Sequence, residues 1–302
     1  MKFSEYESLD LSHKIILITG ANAGLGYEAA LFFASRNATV IAGVRSMQRG
    51  EQAKSKILEI VPNASIHFLE CDLSNSKSID AFASVVKESF PPIDILLNNA
   101  GIMAVPYALT KDNFESQFGV NHLGHFRLTA LLYSHLNDHA RIINVSSMAH
   151  MQATIDLNDP HYTSRSYQSF KAYAQSKLAN LLFTHELNKR MKNDSHQLLA
   201  LSAHPGVAMT SLFDKVETAS WMRFIKPIFG LFAASAKQGS YPLIVACLDP
   251  NALPDMFYGP KSGKKNEVTT NIKMKSLAHD ASLQKGLWDL SNQQCSLKFL
   301  ED

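Results

Sequence analysis

The run from Lys14 to Ser35 constrains the fold more than any other. Lys14-Ile15-Ile16-Leu17-Ile18-Thr19 reads as a buried parallel strand, Gly20-Ala21-Asn22-Ala23-Gly24-Leu25-Gly26 as a turn, and Tyr27 to Ser35 as a helix. Backbone amides at such a helix start point at an anion, and glycines let a pyrophosphate approach closely. The spacing Thr-Gly-x-x-x-Gly-x-Gly departs from the common G-x-G-x-x-G fingerprint. A glycine-rich turn alone often only tightens a connection, so it is the strand-to-helix context that favours a dinucleotide.

The same alternation continues down the chain. Apolar runs predict strands near 14–19, 39–44, 65–70, 93–98, 140–146 and 197–203, with a short last strand at 256–258; helices are expected near 25–35, 47–60, 76–89, 111–136, 168–192 and 236–247. Ser235-Ala236-Lys237-Gln238 has the form of a capping box opening the last of these. Regular β/α alternation implies right-handed crossovers, a parallel sheet and a ligand crevice at the carboxyl ends of the strands. Gly20, Arg45, Asp72, Asn98, Ser147 and His204 all fall at or just past such an end. Length alone suggests about two domains, but no linker interrupts the pattern. One α/β domain over 1–302 is therefore expected, doubly wound with helices on both faces, and 46% hydrophobic residues suffice for its core.

Tyr173-Ala174-Gln175-Ser176-Lys177 sets a phenol and an ammonium one turn apart on one helix face. Such a pair can move a proton. A free tyrosine titrates near 10, so acid/base work near neutrality needs a shift of roughly three units, about 4 kcal/mol, part of which a fixed cation supplies. Taken alone, the spacing would be an exposed helix pair. It is not alone: Asn98-Asn99-Ala100-Gly101 follows an apolar strand, Asn121 lies in Gly119-Val120-Asn121-His122-Leu123-Gly124, Ser146-Ser147 end the strand Ile142 to Val145, and His204-Pro205-Gly206-Val207-Ala208-Met209-Thr210 follows the sixth strand.

In this order the motifs resemble the short-chain dehydrogenase/reductase family over some two thirds of the chain. The resemblance implies a Rossmann-type fold with a substrate lid, here about 211–234, and a nicotinamide dinucleotide held by Gly20, Asn22, Ala23, Gly24, Leu25, Gly26, Asp72, Leu73, Asn99, Ala100, Gly101, Tyr173, Lys177, Pro205, Gly206, Val207 and Thr210. It also implies the roles of the catalytic groups. Tyr173 exchanges a proton with the substrate oxygen, Lys177 lowers the phenol's pKa and holds the ribose, Ser147 donates to the developing oxyanion, and Asn121 positions a water in a relay from Lys177. The residues themselves leave Ser146 and Ser147 open, since neighbours in a strand face opposite ways; the family pattern selects Ser147.

Cofactor choice turns on the end of the second strand, Thr39-Val40-Ile41-Ala42-Gly43-Val44-Arg45. An acidic residue there would accept from a ribose 2′-hydroxyl, but the chain has Arg45, with Arg49 close behind, suited to a 2′-phosphate. NADP(H) is favoured over NAD(H).

The 25 residues from Met148 to Ala172 lengthen the link between the serine strand and the tyrosine helix, and the chain is most similar to the retinol-dehydrogenase-like branch. That likeness implies a lipophilic alcohol, aldehyde or ketone as substrate. Met148, Ile155, Leu157 and Tyr162 are expected to wall the pocket, with Met103, Met209, Phe213, Trp221, Met222, Phe224 and Phe229 supplying further adaptable apolar surface. Two other classes stay open: a non-catalytic dinucleotide sensor or scaffold, and a carbon–carbon double-bond reductase of the protochlorophyllide type.

The remaining features exclude more than they add. A net charge of +2 makes no case for nucleic acid. Three cysteines without a C-x-x-C fit a reducing compartment. The polar, acidic start Met1 to Asp10 carries no signal or anchor pattern, and no uninterrupted apolar run is long enough to span a membrane, so a cytoplasmic location is expected. His122/His125 and His135/His139 have ligand-like spacings but no H-E-x-x-H, and no metal is expected. The resemblance also implies a homodimer through the helices at about 111–136 and 168–192.

Overall fold

The computed structural model describes residues 1–192, 197–206, 235–264 and 266–301. Among these, eight strands form one sheet in the order β3-β2-β1-β4-β5-β6-β7-β8. They are β1 Ile15–Thr19, β2 Thr39–Val44, β3 Ile66–Glu70, β4 Ile93–Asn98, β5 Leu136–Val145, β6 Leu199–Ala203, β7 Phe257–Pro260 and β8 Val268–Thr269. The first seven run parallel and β8 pairs antiparallel with β7. Strand order reverses between β1 and β4, which opens the crevice that a doubly wound sheet offers a ligand.

Strand side chains alternate between faces, and each face has its own core. Leu17, Ile41, Leu96, Ile142 and Ala200 pack with α3 (Ser76–Ser89), α5 (Gly124–Leu132) and α6 (Ser169–Met191). Ile16, Ile18, Val40, Ala42, Leu97 and Leu201 pack with α1 (Gly24–Ala34), α2 (Met47–Ile60) and α7 (Ala236–Leu248). Ser235 caps α7, accepting from the Gln238 amide at 3.2 Å.

Three elements differ from expectation. The helix expected over 111–136 starts at α4 (Ser116–Phe118), passes through a π turn at Gly119–Leu123 and ends in α5; β5 begins at Leu136. Its start is delayed because the Glu115 carboxylate accepts from the Gln117 and Phe118 amides, while Asn113 upstream adopts a left-handed φ of 63°. A helix absent from the sequence reading, α8 (Ala281–Cys295), is capped by Asp280 and lies over α5 and α6. There Trp288 packs on Phe126 and Phe183, and the Arg127 guanidinium donates to the Cys295 carbonyl. The segment after β5 is the third. Ile155 and Leu157 turn into the main core, with Leu157 against Gly286 of α8, and Tyr162 is buried beneath the Arg165 guanidinium. Of the four expected pocket residues in this segment, Met148 alone stays exposed.

The expected lid at 211–234 lies outside the described residues, as do Val207, Thr210, Met209, Phe213, Trp221, Met222, Phe224 and Phe229. Among the described residues no helix is long and apolar enough to cross a membrane.

Candidate active site

A cleft of about 260 Å³ opens at the carboxyl ends of β1, β2, β4 and β5. One end is made of backbone. Gly20 and Gly24 take left-handed φ values of 71° and 57°, and a Cβ on Gly26 would stand 2.4 Å from the Gly20 carbonyl oxygen. Glycine is what lets α1 start this close to β1. The N-cap, Ala23, has no side chain to cap with, so the first amides of α1 line the cleft without a side-chain cap. Uncapped amides at a positive helix end suit a phosphate. Asn99 braces the turn, donating from Nδ2 to the Thr19 carbonyl at 2.7 Å, and Thr19 Oγ1 accepts the Asn99 and Ala100 amides, each at 2.9 Å.

Arg45 and Arg49 line the same end, exposed, with no carboxylate among the described residues at ion-pair distance from either. Asp72 lines it too. Rather than capping α3, whose N-cap is Asn75, it closes a local turn by accepting from the Ser74 amide and hydroxyl. Asn22, Ala23, Leu25, Leu73, Ala100, Gly101 and Pro205 complete this lining, and Gly206 follows in a left-handed turn.

The other end is made of buried side chains. Tyr173 and Lys177 are 6% and 4% exposed, and the Lys177 ammonium lies 5.7 Å from the Tyr173 ring centroid. Burial pushes the phenol up to about 12, opposed in part by a hydrogen bond with Ser147. This shift runs opposite to the one expected from the Tyr–Lys spacing. The cause is that burial acts on both groups, carrying the Lys177 ammonium down to about 8 while Nζ spends a hydrogen bond on the Val145 carbonyl at 3.0 Å. Asn180 donates to that carbonyl as well.

The two serines part company. Ser146 Oγ donates to the Lys177 carbonyl at 2.8 Å and is turned into α6, while Ser147 is partly exposed beside Tyr173 and accepts from the Ala149 amide. Asn121, fully buried in the π turn, accepts from the Ile102 amide and donates to the Ile102 carbonyl and Ser176 Oγ. Ser176 Oγ in turn donates to the Tyr173 carbonyl. Sequence reasoning missed Thr19, Val145, Ile102 and Ser176, which act through positions that only tertiary contact reveals. It also missed His150, whose Nδ1–H donates to the Ser147 carbonyl at 2.6 Å; its place three residues past the serine was the available signal. The histidine pairs hold no metal-like cluster among the described residues: His122 bonds Ser291 and His135 the Phe90 carbonyl.

A family model described as short chain dehydrogenase matches residues 14–221. Retinol dehydrogenase 12 of Mus musculus is 36% identical over 94% of this chain and 87% of its own length. The chloroplastic short-chain dehydrogenase TIC 32 A of Brassica napus is 34% identical over 94% and 89%. A crystal structure of an uncharacterised protein from Mycobacterium paratuberculosis superposes with a TM-score of 0.81 at 38% identity, covering 99% of this chain and 98% of that one. With the glycine turn, the buried tyrosine–lysine pair and the reversed strand order in one cleft, the chain belongs to the short-chain dehydrogenase family, in its retinol-dehydrogenase-like branch, and is an oxidoreductase.

Proposed function

We propose that this single-domain oxidoreductase uses NADP(H) to interconvert a lipophilic alcohol and its aldehyde or ketone. The observation that carries the reading is the placement of Tyr173 and Lys177 at one end of a cleft, with Ser147 hydrogen-bonded to the Tyr173 phenol, while the other end offers uncapped helix amides and two guanidiniums. Gly20, Asn22, Gly24 and Gly26 would cradle the pyrophosphate, Arg45 and Arg49 the 2′-phosphate, and Lys177 the ribose next to the reacting ring. When bound, the nicotinamide supplies or accepts the hydride.

The remaining steps belong to the chain. Raised to about 12 by burial, Tyr173 stays protonated near neutrality and so holds its proton ready for a substrate oxygen. Ser147, beside that phenol, donates to the same oxygen as charge develops on it. Lys177 keeps its Nζ fixed on Val145, leaving its other two N–H bonds for the ribose and for proton supply. Asn121 keeps Ile102 and Ser176 in place around this centre.

The lipophilic substrate class is supported by the naming of relatives as retinol dehydrogenases and by apolar surface at Met103 in the cleft and Met148 nearby. Three buried free thiols, Cys71, Cys247 and Cys295, accord with a cytosolic setting. Against a homodimer through α5 and α6, Trp288 of α8 packs on Phe126 of α5 and Phe183 of α6, and Phe299 also packs on Phe126. A sensor without chemistry would have no use for a buried Tyr–Lys–Ser constellation, which favours an enzyme.

The test is NADPH oxidation, with NADH in parallel, against retinal, medium-chain aldehydes, steroids and quinones, for wild type and Tyr173→Phe. Turnover with NADPH is expected, with kcat lowered on the order of 10²- to 10⁴-fold in the variant. Tight NADPH binding without turnover of any carbonyl would overturn the catalytic reading.

A further inference from the structure

His125 joins the two ends of the cleft, and its hydrogen bonds have only one consistent direction. Thr19 Oγ1 accepts the Ala100 amide and shares the Asn99 amide with the Leu97 carbonyl, so both its lone pairs face donors. Its own proton is then left for His125 Nε2, 2.9 Å away. At the far side of the ring, His125 Nδ1 is 3.0 Å from the Asn121 main-chain carbonyl, which can only accept. Both ends demand the same neutral ring, protonated on Nδ1 and bare on Nε2. Burial, which lowers the His125 pKa to about 4, keeps it neutral.

The link has two functional ends. Thr19 closes β1 at the glycine turn and orders Asn99 and Ala100. Asn121 sits inside the π turn at Gly119–Leu123, a departure from the regular ladder of the kind often found at functional sites. Its side chain orders Ile102 and Ser176, the residue that bonds the Tyr173 carbonyl and precedes Lys177.

We propose that His125 is a positioning residue that couples the dinucleotide turn to the catalytic helix, accepting from Thr19 at one nitrogen and donating to the Asn121 carbonyl at the other. The inference rests on the proposed hydride-transfer function only for its kinetic readout.

Two substitutions divide the ring's work. An asparagine carboxamide reaches about as far as Nδ1, so His125→Asn retains a donor for Asn121 and abandons Thr19. A glutamine carboxamide reaches about as far as Nε2, so His125→Gln retains an acceptor for Thr19 and abandons Asn121. His125→Asn is expected to weaken NADPH binding, read by fluorescence, on the order of tenfold and more than it lowers kcat; His125→Gln should lower kcat by a similar factor and more than it weakens binding. Equal losses of both parameters in the two variants would overturn the proposal. Nitrogen-resolved NMR of the wild-type imidazole tests the direction of the link without any variant or substrate. A pyrrole-type Nδ1 and pyridine-type Nε2 for His125 support it, and the reverse tautomer or a charged ring sinks it. Should wild type turn over no carbonyl at all, the functional reading fails while binding and NMR still decide the role of His125.

Discussion

The two ends of the cleft solve different problems with different materials. In the proposed function the working groups at the glycine turn are backbone amides, and Gly20, Gly24 and Gly26 supply the left-handed turns and close approach that bring them there. At the tyrosine helix the working groups are side chains taken out of water, and burial moves the pKa values of both Tyr173 and Lys177. The glycine turn itself tolerates almost no added atom. A buried side-chain site keeps its shape through neighbours such as Val145, Asn121 and Ser147, and its cost is electrostatic. The two ends should therefore fail in different ways.

The largest effect is expected from Gly26→Ala. Its Cβ would lie 2.4 Å from the Gly20 carbonyl oxygen and 2.5 Å from Asn99 Nδ2, and the first of these contacts is with backbone that cannot swing aside. Overpacking of this kind destabilises by about 1–3 kcal/mol. Displacing α1 from the strand end by even about 1 Å should weaken NADPH binding on the order of a hundredfold. Denaturant unfolding and NADPH titration check the two parts; a variant that binds NADPH like wild type would break the claim that this end works through close backbone approach.

That contrast also explains what could be read before folding. The glycine turn and the Tyr173/Lys177 pair are local in sequence, and each motif carries its own geometry, so both could be placed by spacing alone. Parallel strands buried on both faces read as short apolar runs, which is why β1, β2 and β4 were located within a residue. The C-terminal helix α8 escaped because its apolar stripe is thin: Leu283, Leu287 and Trp288 carry it, while Gln284 and Ser291 are buried through hydrogen bonds instead. The Asp280 cap ahead of that stripe was the signal available. Nothing local distinguishes Ile155 and Leu157 as partners of α8 and the core rather than of a substrate, and nothing local joins Thr19 to His125 across 106 positions. The direction of the Tyr173 shift belongs to the same class. A lysine one turn away is visible in sequence, whereas the burial that sets the direction of the shift is a property of the whole fold.

Arg45→Ala sharpens the comparison at intermediate size, since it removes a side chain from the end built mainly of backbone. Charge-assisted hydrogen bonds contribute about 1.5–3 kcal/mol, so KM for NADPH should rise about 10- to 100-fold while KM for NADH changes little. Equal changes with both cofactors would mean that Arg45 does not read the 2′-phosphate. Arg49 lines the same end, and the double variant should widen the gap further.

The smallest effect concerns stability and belongs to the side-chain end. Lys177 is held at about 8, below its ordinary 10.5, because burial disfavours its charge. The unfolded chain therefore binds more protons than the folded one between those two values, and stability rises with pH across that window. Below pH 8 the folded protein carries the full cost of a buried ammonium; above about 10.5 it carries none. Lys177→Met, which keeps the length of the stem and deletes the charge, should raise Tm of the cofactor-free protein by a few degrees at pH 7. That gain should shrink as pH climbs from 8 to 10.5. Thermal unfolding of both proteins over this range reads the difference directly. A pH-independent gain at Lys177 would assign the effect to packing rather than to charge, and the electrostatic half of the comparison would fall with it.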